Sequence, residues 1–149
     1  HGYVHDPGAA MLGGIGGHAG IFSTTSDMAV ILQMLLNGGT YKGHRYINRE
    51  TLALFTDYQS SLSRRGLGFD KPEKEIGDGG PASELCDKST FGHQGFTGTC
   101  AWADPQTGII FIFLSNRVYP TADNWKISHL NIRTDAQSYI YEALGYGSN

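Results

Sequence analysis

Cysteine is scarce in this chain: Cys86 and Cys100 are the only two among 149 residues. Two thiols cannot build a disulfide framework, and neither has the spacing of a zinc ligand. Two unpaired thiols are expected. The alternative, one bridge, needs Cα atoms within about 7 Å. Long apolar runs are also missing. The two longest, AVILQMLL and GIIFIFL, fall far short of the roughly 20 residues that cross a bilayer, so no transmembrane segment is expected. Neither sign of charge dominates: 11 Lys plus Arg stand against 14 Asp plus Glu, a formal net charge of -3. The basic residues are scattered, which gives nucleic acid or an anionic membrane nothing to dock on. No His-Glu-x-x-His stretch occurs. His1, His5, Asp6 and His18 are the only conceivable ligand set, and their spacing matches no metal pattern, so neither metal nor cofactor is expected. A signal-like leader is absent too; residues 1–149 are read as one portion of a single domain in a longer protein.

What is present is glycine, 21 residues of it, concentrated in GGIGGHAG, in GDGG and in TFGHQGFTGTC, where it marks tight turns and close backbone approaches. Between the clusters the periodicity is clear. STTSDMAVILQMLLNGG carries Met28, Ile31, Leu32, Leu35 and Leu36 on one helical stripe, with Thr24 and Asp27 as a capping box, Ser26 as a competing cap and Gly38 or Gly39 as the stop. NRETLALFTDY predicts a shorter helix capped by Asn48. RGLGFD predicts a short strand with Leu67 and Phe69 on one face, and residues 71–88 an exposed loop. In the last third, TCAWAD, the turn DPQTG and IIFIFLS predict a hairpin. The unalternating run Ile109 to Leu114 is expected in a central strand buried on both faces. A last helix should run from a cap at Asn131 to Gly145, burying Ile132, Ala136, Tyr139, Ile140, Ala143 and Leu144. The expected class is α+β, an antiparallel sheet flanked by helices. Trp102 and Trp125 are assigned to the core or its margin, Arg64 and Arg65 to a solvated pair.

His93, among Gly92, Gly95 and Gly98, is either a satisfied structural residue or part of a site. The functional reading rests on the glycines, which would leave one side of the strand open for a substrate to lie against its backbone N–H groups.

FGHQGFTGT, followed by the hairpin, SNRVYPT and a terminal helix, resembles the last part of the serine β-lactamase and penicillin-binding-protein fold, nearest to its class C type. GGHAGIFSTTSDMAVILQMLLNGG and GHRYINRETLALF resemble the family's helical region. The resemblance implies that His93, Gln94 and Gly95 form the His-x-Gly signature. His93 then replaces the signature lysine, Gln94 belongs to the substrate-binding wall, Gly95 permits close approach, and the Phe96 backbone N–H is one oxyanion donor. His18 falls at the rim of the site, or else only bonds backbone. Thr121 stands where class C enzymes often carry an asparagine for the substrate carboxylate, which favours peptidase or esterase action over β-lactam hydrolysis.

The family's nucleophile lies in Ser-x-x-Lys. No serine here has a lysine three residues on; Ser61 with Arg64 comes nearest, and arginine cannot serve as a base. Tyr46-Ile47-Asn48 imitates the second signature out of order and is read as a turn with a helix cap. These residues alone are therefore expected to be inactive, with nucleophile and general base upstream in the same protein. SRRGLGFDKPE and FLSNRVYPTADNWKISHLNIRTD resemble, more loosely, the C-terminal region of exported proteins that begin with a family-3 glycoside hydrolase of the β-N-acetylglucosaminidase kind. That implies a periplasmic or otherwise exported parent acting on cell-wall or glycan material. Two rivals remain: a non-catalytic glycan- or peptide-binding module attached to such a glycosidase, and a structural cap in which His93 is buried. Unpaired edges or apolar faces would favour dimerisation of the fragment.

Overall fold

A computed structural model of the chain describes residues 1–75, 77 and 79–147. The expectations for 76 and 78, inside the 71–88 segment, lie outside the described residues. A short helix α1 (Pro7–Met11) precedes α2 (Thr25–Leu36), a two-residue ribbon β1 (Thr40–Tyr41) and β2 (His44–Arg45), and α3 (Arg49–Thr56). The sheet follows as β3 (Phe91–Gln94), β4 (Cys100–Ala103) and β5 (Ile110–Phe113); α4 (Lys126–His129) and α5 (Ile132–Ala143) close the chain. Its three strands are antiparallel in the order β3-β4-β5.

The α2 boundaries follow the sequence signals. Thr24 is extended and its Oγ1 accepts from the Asp27 N–H at 3.2 Å, the capping arrangement expected of that pair. Asn48 takes the N-cap position of α3 with no side-chain bond. Tyr46-Ile47-Asn48 is the turn that feeds it.

Alternation along each strand sends side chains to two faces. Leu32 and Leu35 of α2 and Leu52 of α3 pack with Phe91 and Ala103 on one face. Cys100, Trp102 and Phe111 pack with Tyr141 of α5 on the other. The arrangement is three-layered α+β, as expected, and four details depart from expectation. β5 lies at the side of the sheet, not its centre: Ile110 and Ile112 face the α2 cluster while Phe113 packs on the α5 cluster. An unalternating apolar run reports cover on both faces, and says nothing of lateral position. RGLGFD forms no strand beyond an isolated bridge of Asp70 to Gly92. The 71–88 segment is a surface loop only in part: Glu75, Glu84, Asp87 and Lys88 are exposed, whereas Lys71, Ala82, Ser83 and Cys86 are buried. Lys71 Nζ donates to the carbonyls of Thr56, Ser89 and Thr90, and the Ser83 N–H donates to Gln137, so the segment satisfies its polar groups inside. Finally, α5 buries Arg133, Gln137 and Tyr141, and leaves Ile132, Tyr139, Ile140 and Leu144 exposed. Polar anchors, not the apolar stripe, set its rotation.

Both cysteines are free and buried. Burial pushes each thiol from an ordinary 9.0 up to about 11. A group whose pKa is raised by folding contributes stability that is complete below its unfolded value and is lost as pH climbs through the folded one. The rise corresponds to a few kcal/mol per thiol, on the order of 3. Stability should therefore fall steadily between about pH 9 and 11 in urea titrations, with a shallower fall in Cys100→Ala. An equally steep profile in that variant would remove the thiols as the cause.

Candidate active site

The site is built on the outer edge of β3. Register pairs His93 with Ala101 and Gln94 with Cys100, and just beyond the strand the Gly95 N–H donates to the Thr99 carbonyl at 2.8 Å. In an antiparallel ladder such pairs alternate. Residues 91 and 93 bond inward to β4, so Gly92 and Gln94 turn their backbone groups outward, and Phe96 follows in the turn that the Gly98 N–H closes on the Gly95 carbonyl at 3.0 Å. Gly92 spends both of its groups on Asp70, at 2.7 and 3.1 Å. The Phe96 carbonyl accepts from Arg117 Nε at 2.7 Å. That leaves the N–H of Gln94 facing outward from the strand and the N–H of Phe96 with no acceptor among the described residues.

The glycines also serve the hairpin itself. A Cβ on Gly92 would lie 2.1 Å from the Ala101 oxygen, one on Gly95 2.4 Å from Thr99 Oγ1, and one on Gly98 2.5 Å from Ser115 Oγ, with Gly98 in the left-handed region at φ 99°. Gly92 meets backbone and Gly98 needs a positive φ, so packing alone accounts for those two, whereas the contact at Gly95 is with a rotatable hydroxyl. Among the described residues no partner strand covers this edge past Asp70.

His93 is exposed on the α2 side of the sheet, which excludes the buried histidine of the structural-cap reading. Its Nε2 lies 2.7 Å from Arg65 NH1 and its Nδ1 2.7 Å from the Gln94 carbonyl. A guanidinium can only donate and a carbonyl can only accept, so the partners assign Nε2 as acceptor and Nδ1 as the protonated nitrogen. Arg65 is therefore no solvated bystander. Its Nε also lies 3.4 Å from Asp70 Oδ1, while Arg64 bonds the same carboxylate at 2.8 Å and Glu73 at 2.8 Å. Asp70 is 2 % exposed. Its backbone bridges β3, its carboxylate gathers both arginines, and Arg65 is thereby aimed at His93. The sequence signal was the arginine pair five residues before that aspartate, which local reading could only class as surface charge.

Phe96 is held from three sides. Its ring stacks on His5 at 5.4 Å, meets Trp125 edge-on at 5.8 Å, and lies 4.3 Å from the Arg117 guanidinium, which is itself 3.8 Å from Trp125. Arg117 also donates to the carbonyls of Ala122 and Asn124, tying the Thr121 turn to Phe96. Thr121 is exposed, with its hydroxyl bonded to Asp123 at 3.1 Å. His18 reaches neither His93 nor backbone; its Nε2 donates to Asp6 Oδ1 at 2.8 Å, and Asp6 also caps α1. His5 belongs to the site region through Phe96, not to a metal set, and among the described residues no cluster of three or more potential metal ligands occurs. The Gln94 side chain points to the opposite face and donates to the Pro81 carbonyl at 2.6 Å. The structure thus brings together His93, Arg65 and the Phe96 N–H, with the Thr121 turn behind them.

Among the described residues no helix is long and apolar enough to cross a membrane. The fold is shared with a β-lactamase crystal structure from Mycobacterium bovis at TM-score 0.62, with 21% identity over 84% of this chain and 46% of that one. Sequence relatives are closer. A protein of Escherichia coli K12 named "Putative D-alanyl-D-alanine carboxypeptidase" is 38% identical over 127 residues, and one of the same name from Salmonella enteritidis PT4 is 36% identical over 128. The match takes in 84% and 85% of this chain but 29% of each relative, so the chain spans under a third of their length. The β-lactamase family model matches residues 1–132, a stretch that holds the β3 edge, the hairpin and both arginines, and on that match the chain belongs to the β-lactamase family.

Proposed function

We propose that this chain supplies the His-x-Gly wall and one oxyanion donor of a serine acyl-transfer site, and that the serine and its general base come from a segment outside these 149 residues. The observation that carries the reading is the Phe96 N–H, without an acceptor among the described residues, in the turn that leaves β3 three residues beyond His93. A tetrahedral oxyanion needs preorganised donors of this kind. An extended acyl substrate can lie along β3 as an added strand, taking the Gln94 and Phe96 N–H groups. The substrate class we infer is a cell-wall peptide, in keeping with the carboxypeptidase names of two relatives, and the place of action is outside the cytoplasm. Thr121, committed to Asp123, offers little to a β-lactam carboxylate; Arg65, whose side chain is 48% exposed, is the cation beside the strand.

Covalent labelling tests this. A protein joining these residues to a Ser-x-x-Lys segment should be labelled by a fluorophosphonate or a fluorescent penicillin, while residues 1–149 alone stay dark. A folded longer protein that takes neither label would reject acyl transfer and leave a non-catalytic groove.

A further inference from the structure

On the sheet face opposite His93, a cavity of about 270 Å³ opens between the Gln94 side chain, Pro81 and the start of α5, where Ser128, Asn131, Arg133 and Thr134 line it. The residue that defines it is Arg133. It is only 9% exposed, and among the described residues no carboxylate lies within ion-pair distance of it. Its two hydrogen bonds are long and go to neutral acceptors, the Thr99 carbonyl at 3.5 Å and Ser128 Oγ at 3.3 Å. A buried cation without a counter-charge is costly. Burial, the largest influence, acts against the protonated guanidinium, the Cys100 side chain acts in the other direction, and the like charge of Arg117 adds to the effect of burial.

The other lining groups are donors with capacity to spare. Ser128 Oγ accepts from Arg133, and its own proton has no acceptor among the described residues. Asn131 makes no side-chain cap bond although it stands at the N-cap of α5, so its amide is free and the first-turn N–H groups of a twelve-residue helix are uncapped by it. The helix dipole adds positive potential at that end. Thr134 and Gln94 are committed, donating to the Asn131 and Pro81 carbonyls.

We propose that this cavity is a binding site for a small carboxylate, with Arg133 as its counter-ion and Ser128 and Asn131 as neutral donors. A single full positive charge faces the cavity, which suits a monoanion better than a phosphate dianion. The site lies behind β3 and is independent of the acyl-transfer reading. It uses Gln94 as a shared wall, the side chain on one face and the outward N–H on the edge.

The test is acetate titration of the 149-residue chain, followed by the unfolding midpoint and by amide shifts in NMR spectra, against sodium chloride at matched ionic strength. Acetate should raise the midpoint in a saturable way and move the amides of residues 128–134. Arg133→Gln should weaken acetate binding about tenfold or more, the loss expected for a charge-assisted bond. Should that variant fail to fold, Ser128→Ala and Asn131→Ala carry the test, each weakening acetate severalfold. The proposal is overturned by an acetate response no larger than that of chloride, by an Arg133→Gln response equal to the wild type, or by phosphate binding tighter than acetate.

Discussion

Replacing His93 with alanine, in a protein that also carries the serine segment, should slow acylation by about a hundredfold to a thousandfold, within the range general acid–base and electrostatic contributions span. The geometry behind this is a fixed ring. Arg65 donates to Nε2 and Nδ1 donates to the Gln94 carbonyl, so the imidazole is clamped at both nitrogens three residues before the Phe96 N–H, the proposed oxyanion donor. Alanine removes the polar group and leaves Arg65 held only by Asp70. Arg65→Met is the sharper control. It leaves His93 in place and its Nδ1 bond intact, but frees Nε2, so the ring is held at one nitrogen. A positioning role predicts a smaller loss, roughly tenfold, accompanied by a shifted pH profile of the acylation rate, with Arg65→Lys recovering part of it. Stopped-flow acylation with a chromogenic ester separates these cases. Equal rates for wild type and His93→Ala would sink the assignment, and an Arg65→Met rate equal to His93→Ala would make the arginine, not the histidine, the principal contributor.

The candidate site was legible in the sequence where its residues are local, and the contacts that were not legible have a common physical cause. His93, Gly95 and Phe96 lie within one local motif, and a motif keeps its meaning when the surrounding chain is unknown. Helix α2 was readable in its Thr24–Asp27 cap and in Leu32 and Leu35, which are contained in a few turns, though Ile31 of the expected stripe is exposed. Arg65 was not, because its partner is 28 residues away and is delivered by Asp70, whose role depends on a bridge to Gly92. The rotation of α5 was misread for the same reason. Period-3.6 reasoning ranks faces by hydropathy, whereas this helix is turned by Gln137 bonding Ser83 and Tyr141 bonding Asp104, contacts 54 and 37 residues apart. The glycines show the converse. Their clustering was visible, but whether a glycine makes room for a ligand or for the protein's own Thr99 and Ser115 is decided only by the packed hairpin.

Asp104→Ala is expected to be the most damaging single change to stability, about 3–5 kcal/mol in urea unfolding. In sequence this residue reads as the first position of the DPQTG turn, and it does serve there: Oδ1 accepts from the N–H groups of Gln106 at 2.9 Å and Thr107 at 3.2 Å, and the Gly108 N–H closes on its carbonyl at 2.8 Å. Its other oxygen does something the turn does not require. Oδ2 accepts from the Tyr141 hydroxyl at 2.7 Å and from the Asp87 N–H at 3.2 Å, so one carboxylate joins the hairpin, the 71–88 segment and α5. Asp104 is 1% exposed and Tyr141 0%, and burial, followed by the bond to Asp104, drives the Tyr141 hydroxyl upward in pKa. With alanine the turn amides can turn to solvent, but the Tyr141 hydroxyl and the Asp87 amide lose their acceptor where water is scarce, and the desolvation penalty of each stays unpaid. Tyr141→Phe removes one donor and leaves Asp104 three, so it should cost less, about 1–2 kcal/mol. Asp104→Asn keeps an acceptor oxygen and should fall between the two. If Asp104→Ala proves no worse than Tyr141→Phe, the carboxylate acts only as a turn residue, and the cohesion of the three segments must come from the apolar cluster around Trp102 instead.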